Sequence, residues 1–440
     1  MNEDIKLAND LIKFIYDSPT SFHAVEQVKV ILNTKGFKEL HQSDKWEIKN
    51  NSKYYVTVND SAIIAFVTGE GSAEQEGFKI IGAHTDSPSF SIKPDPEIVQ
   101  NSYLKLNTEV YGGPILNTWL DRPLSLAGRV SLRSGNTMRP KTKLVNINKP
   151  LLIVPNLAIH LNPKVNGGIE LNKQKDTLPI INLVNEKFES DNYLLKLVAN
   201  KLNVSPYDIL DFDLFLYPYE KGCILGAEEE FISSPRIDDL AMIHAGITAL
   251  STTIPTSGIN VMACFDHEEI GSTTGQGADS PILDHILERI VMSLNKNKIT
   301  LASKSREDYF RALANSFFIS ADMAHAIHPN MPEKHDPTNK PKINGGPVIK
   351  INANRKYITD SVSAAVYESI CKDNSIPVQK FVNRSDMRGG STLGPINVSH
   401  INLRSVDIGN PMLAMHSIRE LAGVKDQMYI YKSFKAFYRL

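Results

Sequence analysis

The chain has 440 residues, with 48 Lys and Arg against 49 Asp and Glu and a formal net charge of -1. That length supports a large core and more than one domain, and a charge so near zero excludes a general binder of nucleic acid or anionic membrane, which needs a basic excess. Cys223, Cys264 and Cys371 form no C-x-x-C pair, the N-terminus lacks a signal-peptide apolar core, and no apolar run reaches spanning length, so a reducing, cytoplasmic setting without disulfides or thiolate zinc is expected.

Apolar residues at Ile5, Leu7, Ala8, Leu11, Ile12 and Ile15 recur at helical spacing and predict a helix over Glu3 to Tyr16. Ser18-Pro-Thr-Ser-Phe-His opens a second helix, Ala24 to Thr34, capped by hydroxyl side chains. Tyr54 to Val58 and Ala62 to Val67 alternate like paired strands around the turn Asn59-Asp60. Ala73 to Gly77 reads as a polar loop, and Phe78 to Ala83 as a buried strand that delivers His84. From about Ser91 to Glu228 the texture changes to short β-like runs separated by Gly and Pro clusters: Leu104 to Val110, Leu124 to Leu132, Lys143 to Ile147 and Ile180 to Val184. A helix over Asp191 to Leu202 and a short element from Ser205 complete this stretch.

From Ser233 the α/β pattern returns. Helices are predicted over Asp238 to Thr253, Leu283 to Ser293 and Ser361 to Cys371, and strands over Ile259 to Phe265, Ser316 to Ala321 and Val378 to Val382. The expected fold class is therefore α/β: a mixed, mostly parallel sheet sandwiched by helices, built from 1–90 and 229–440, with 91–228 as an inserted β-rich domain.

Five segments carry candidate metal ligands. In Ile81-Gly-Ala-His-Thr-Asp-Ser-Pro88 a strand ends at His84, and Asp86 two residues on can orient the imidazole; a polar turn explains the pair as well. In Ser233-Ser-Pro-Arg-Ile-Asp-Asp-Leu240, Asp238 is either a helix N-cap or a carboxylate bridging two metals. Glu268 and Glu269 sit side by side after the strand Ile259 to Phe265, where they would repel unless a cation held one and left the other as a general base. Asp322 ends another strand; His325 and His328 nearby fit a turn equally well, and Asp322 is preferred. His416, in an apolar surround, is either a core histidine or a ligand.

Together these residues suit two divalent ions, zinc, manganese or cobalt, in a hydrolytic site. His84, Asp238 and Asp322 could hold one, Asp238, Glu269 and His416 the other, with Glu268 left to take a proton from water.

In order along the chain, Ser21-Phe-His-Ala-Val25, His84-Thr-Asp-Ser-Pro88, Asn117-Thr-Trp-Leu-Asp-Arg-Pro-Leu124, Ser234-Pro-Arg-Ile-Asp238, Asp266-His-Glu-Glu-Ile-Gly-Ser272, Ser320-Ala-Asp-Met-Ala-His-Ala-Ile-His-Pro-Asn330 and Met415-His-Ser-Ile-Arg-Glu420 resemble the aspartyl aminopeptidase family of dinuclear zinc aminopeptidases. The resemblance implies a zinc-exopeptidase-like catalytic domain. It implies His84 and Asp322 on one zinc, Glu269 and His416 on the other, Asp238 as bridge, Glu268 as base and Asp86 as the outer carboxylate. Relatives often carry Asn after the bridging aspartate; here Asp239 follows, so the bridge could slip by one.

The resemblance further implies that the insert is a dimerisation domain and that dimers assemble into a tetrahedral dodecamer. In Ala158-Ile-His-Leu-Asn162, His160 would then reach a neighbour's site, unless it is an ordinary surface residue. Lys350, in Pro347-Val-Ile-Lys350, would face an acidic substrate side chain, or else solvent. In Asp386-Met-Arg-Gly-Gly-Ser-Thr-Leu-Gly394, Met387-Arg388 departs from the family, which leaves side-chain preference open. The implied substrates are peptides with a free N-terminus. Rival readings are a deacylase or carboxypeptidase of similar layout, and a non-catalytic assembly or cargo protein on the same fold.

Overall fold

The computed structural model describes residues 2–168, 170–184, 192–255, 257–294, 302–387 and 389–440. Its largest sheet has nine strands, in the order Lys38–Glu39, Lys53–Val58, Ala62–Thr68, Ile259–Phe265, Phe78–His84, Phe317–Ala321, Arg404–Gly409, Val348–Ile351 and Gln379–Val382. Five of its pairings are parallel and three antiparallel, which is the mixed, mostly parallel sheet expected.

The central strands are unbroken apolar runs because both faces are covered. Every residue of Ile259–Phe265 is buried: Val261, Ala263 and Phe265 join one apolar cluster, Met262 and Cys264 the other. Side chains alternate across a strand, so the two clusters are the two faces. Helices Glu3–Asp17, Ser21–Thr34, Ile237–Thr252, Ser361–Asp373 and Val424–Phe437 supply the first, and Ile282–Leu294, Ala302–Ala314 and Leu393–His400 the second. Ile319 is fully buried in the first cluster and pairs with Ile81 across the parallel ladder. Ile319→Ala should lower unfolding stability by about 2–5 kcal/mol through lost burial and the cavity left behind, read as a lower denaturant midpoint; a change within about 0.5 kcal/mol would place Ile319 outside the core.

Residues 89–218 build a six-stranded, wholly antiparallel sheet, in the order Lys141–Asn146, Leu124–Leu132, Ile209–Pro218, Ser89–Gln100, Tyr103–Tyr111 and Ile180–Leu183. It has its own core around Phe90, Leu106, Leu126 and Leu214, closed by Leu194 and Val198 of helix Tyr193–Leu202. Asp191, the expected start of that helix, lies outside the described residues. A small third sheet joins Cys223–Leu225, Phe231–Ser234, Glu420–Gly423, Pro411–Leu413 and Ala324–His325.

Several local readings needed correction. Residues 73–77 are not a loop throughout; Ala73–Glu76 is a short helix. The second helix begins at Ser21, and Thr20 does not cap it: its hydroxyl turns to His23 Nδ1 at 2.8 Å. Strand Ser89–Gln100 is disguised by Pro94 and Pro96, which sit where the ladder register breaks between Ile92 and Glu97, the place a strand tolerates proline. Among the described residues no helix is long and apolar enough to cross a membrane.

Candidate metal centre

Parallel pairing places the C-terminal ends of three strands together. Phe265 is in register with His84, and Asp322 directly follows the strand that pairs with Phe78–His84 on its other side. Open α/β sheets put their chemistry at this edge. The tight turn Glu268–Ile270 follows, flanked by His267 and Gly271 at φ 64° and 98°. Asp238 arrives from the start of helix Ile237–Thr252. His416 comes from the loop before Glu420–Gly423 and is held at φ 67°, a conformation a non-glycine residue adopts mainly where its surroundings impose it.

These side chains converge. One ligand atom from each of His84, Asp238, Asp239 and Asp322 lies within 4.8 Å of the others; so do those of Asp238, Glu269 and His416, and those of His84, Glu268 and Glu269. Asp238 belongs to the first two groups. Its Oδ1 is 3.4 Å from His84 Nε2, and its Oδ2 is 3.6 Å from His416 Nε2. His416 Nε2 is also 3.3 Å from Glu269 Oε2.

Both imidazoles turn Nε2 inward for the same reason. His416 Nδ1 lies 3.1 Å from the Gly113 carbonyl, which can only accept, so Nδ1 carries the proton. His84 Nδ1 is 3.1 Å from the Asp86 carbonyl and 3.3 Å from its carboxylate. That carboxylate in turn accepts from the backbone N–H of Glu268 and Glu269, at 3.1 and 3.2 Å.

The electrostatics show how much negative charge the site concentrates. Burial would lower the His84 pKa, but Asp238, Asp322 and Asp86 overturn that and hold it well above the usual histidine value. His416 is pushed up to about 10, with burial opposing and Asp238 and Glu269 prevailing. Burial, then Asp322, Asp86 and Asp238, raises Glu268 to about 8 against the pull of His84. Burial and Asp238 raise Glu269 well above the carboxylate range. Protons thus balance a cluster that cations would balance better. Asp238 Oδ1, Asp239 Oδ1 and Glu269 Oε1 are buried without a hydrogen-bond partner among the described residues, an arrangement costly unless something else meets them. The donor set of carboxylate and imidazole, without thiolate, fits zinc or a similar divalent ion.

The other expected residues differ in their relation to this cluster. Lys350 is buried, not solvent-facing: its ammonium donates to Asp322 Oδ2 at 3.1 Å and to the Met323 carbonyl at 2.9 Å. His160 is exposed on a loop of the six-stranded region and is not among the clustered ligands. His325 and His328 are also outside that cluster; His328 bonds within its own loop, accepting from Asn330 N–H. Met387 is exposed, and Arg388 lies outside the described residues.

Two supporting residues, Glu420 and Tyr111, escaped the sequence reading, and Asp239, read there as a possible bridge, has a supporting bond as well. Glu420 Oε2 accepts from the backbone N–H of Ile237 and Asp238, and Oε1 from that of His416, so one buried carboxylate fixes the backbone of two candidate ligands. Asp239 Oδ2 accepts from His84 N–H at 3.1 Å. The Tyr111 hydroxyl donates to Asp86 Oδ2 at 2.7 Å. Glu420 falls four residues after His416, a spacing that could have drawn attention; nothing near Tyr111 announces its role.

Imidazoles and carboxylates gathered at the C-terminal edge of a helix-covered sheet define a metal-dependent hydrolase site. A family model described as aminopeptidase I zinc metalloprotease (M18) matches residues 14–438. A Clostridium novyi (strain NT) protein named a probable M18 family aminopeptidase 2 is 59% identical over 100% of both chains. Among solved structures, one of an Ape4 and Nbr1 complex is 38% identical, with TM-score 0.93, over 99% of this chain and 86% of that one. A structure of the Saccharomyces cerevisiae mApe1 dodecamer is 28% identical, with TM-score 0.85, over 99% and 97%. The chain belongs to the M18 family of aminopeptidases, and it is a zinc metallo-hydrolase of that family.

Proposed function

We propose that the chain removes N-terminal residues from peptides at a dinuclear centre. His84 and Asp322 serve one ion, Glu269 and His416 the other, and Asp238 bridges them. The observation that carries this is the placement of Asp238, with one carboxylate oxygen toward each histidine. Asp239 spends an oxygen on the His84 backbone, which favours Asp238 as the bridge.

When bound, two divalent ions would acidify a water and polarise the scissile carbonyl. Glu268 accepts the attacking water's proton and returns one to the leaving amine. Its carboxylate has no hydrogen-bond partner among the described residues, so it is free for that work. Asp86 holds His84 and the Glu268–Glu269 turn in register. The substrate's free α-amine finds its counter-charge in the surrounding carboxylates.

An acidic N-terminal residue is the proposed preference, with the Lys350 ammonium as its partner. Of its three N–H donors, two are spent on Asp322 and Met323, which leaves one. That same commitment favours a second reading, a broader side-chain preference. We further propose that residues 91–228 form a dimerisation domain, that dimers assemble into a dodecamer, the assembly named for the mApe1 structure, and that the cytoplasm is its setting. His160 would then serve a neighbour's site; Leu157, Ile159 and Leu161 beside it are 54%, 52% and 72% exposed, apolar surface suited to cover by another copy.

A panel of aminoacyl chromogenic substrates and dipeptides, free and amino-blocked, with zinc, manganese or cobalt added separately, tests the reading. Free dipeptides should be cleaved and blocked ones left intact. Equal cleavage of both would make the chain a deacylase or carboxypeptidase. Neutral residues released as fast as Asp or Glu would remove the acidic preference alone.

A further inference from the structure

One short segment of the six-stranded region touches the supports of both histidines. It begins at Tyr111, the last residue of strand Tyr103–Tyr111, whose hydroxyl bonds Asp86. Gly112 follows at φ 69°, and a Cβ there would stand 3.1 Å from Glu269 Cβ, so the chain passes against the Glu268–Glu269 turn at a distance that suits glycine. The Gly113 carbonyl fixes His416 Nδ1. Ile115 N–H donates to the His416 carbonyl at 2.9 Å, and Thr118 Oγ1 accepts from Ile418 N–H at 3.0 Å. Both ends of the centre are therefore tied to one run of chain.

We infer that Tyr111–Thr118 is a strap by which the six-stranded region sets the geometry of the metal centre, with Tyr111 as its positioning residue. The inference rests on the metal-centre reading above. Its physical content is an accounting of Asp86. Oδ1 accepts from Glu268 N–H and faces His84 Nδ1; Oδ2 accepts from Glu269 N–H and from Tyr111. Without the hydroxyl, Oδ2 keeps only the longer backbone bond and the carboxylate gains freedom to turn. His84 Nδ1 keeps the Asp86 carbonyl at 3.1 Å but loses a fixed carboxylate beside it, and the turn that presents Glu268 and Glu269 loosens. The ring has a separate role, packing edge-on against Phe215 at 5.7 Å between centroids. Ring and hydroxyl can thus be tested apart.

The experiment compares the full-length chain with Tyr111→Phe and Tyr111→Leu. The readouts are zinc affinity by chelator competition, the visible absorption of the cobalt-loaded protein, and kcat and KM separately. Tyr111→Phe should weaken zinc affinity about 10- to 100-fold, the usual effect of removing an outer hydrogen-bonding partner. It should shift the cobalt band and lower kcat with little change in KM, and Tyr111→Leu should do the same. A normal Tyr111→Phe beside a defective Tyr111→Leu assigns the residue to packing and overturns the strap, as does a normal result for both. Wild-type protein that takes up no cobalt overturns the strap together with the metal centre; a wild-type band untouched by Tyr111→Phe overturns the strap alone.

Discussion

Asp238→Ala is expected to empty the metal centre and abolish peptide cleavage, with a loss well beyond the roughly 10- to 100-fold that outer-shell changes cause. The reason is topological. Asp238 sits between the two histidines, with one oxygen 3.4 Å from His84 Nε2 and the other 3.6 Å from His416 Nε2. Deleting it takes a donor from both ions at once. Burial works against the Asp238 charge, but His416 and His84 outweigh it and hold its carboxyl well below the usual range, so the native fold keeps this group ionised and ready to ligate. Elemental analysis should find about two metal equivalents in the wild type and a deficit in the variant. A chelator should lower the wild-type unfolding temperature, because an ion that binds only the folded state stabilises it by mass action, and should leave the variant unmoved. If the variant keeps its metal and its turnover, Asp238 is not the bridge and Asp239 must be examined in its place.

What the sequence disclosed follows from how each feature is encoded. Strands buried on both faces announce themselves as apolar runs, so Phe78–His84 and Ile259–Phe265 were legible, and with them the positions of His84 and the glutamate pair. Arg404–Gly409 was hidden because its buried Asp407 breaks the apolar pattern; that carboxylate is satisfied by Ile358 N–H and Thr392 Oγ1, partners remote in sequence. The same principle explains the candidate site. The candidate ligands were readable because the family resemblance and strand ends marked them. Their supports were not, because Glu420, Tyr111 and Gly113 act through hydrogen bonds that only the fold brings about. For Lys350 alternation in a strand allows either face, and packing turned it inward against Asp322, which removes the solvent-facing alternative.

Glu268→Gln should keep its metals and lose turnover. The substitution preserves shape and leaves the backbone bond from residue 268 N–H to Asp86 in place, so the turn is undisturbed. It removes the proton acceptor only. General acid–base groups contribute about 10²- to 10⁴-fold, so kcat should fall by that factor, about 3–5 kcal/mol in barrier height, at near-constant KM and metal content. Glu268 suits the role better than its neighbour because Glu269 Oε2 is already engaged 3.3 Å from His416, on the face where a ligand belongs. Burial and the surrounding carboxylates push Glu268 up to about 8, which marks it as a group that takes a proton readily; cations in the centre would act in the opposite sense and draw it toward neutrality, where a base exchanges protons best. The companion change Glu269→Gln should weaken metal binding as well as turnover. A Glu268→Gln protein with near-normal kcat would exclude Glu268 as the base, and a loss of metal equal to that of Glu269→Gln would make it a ligand instead.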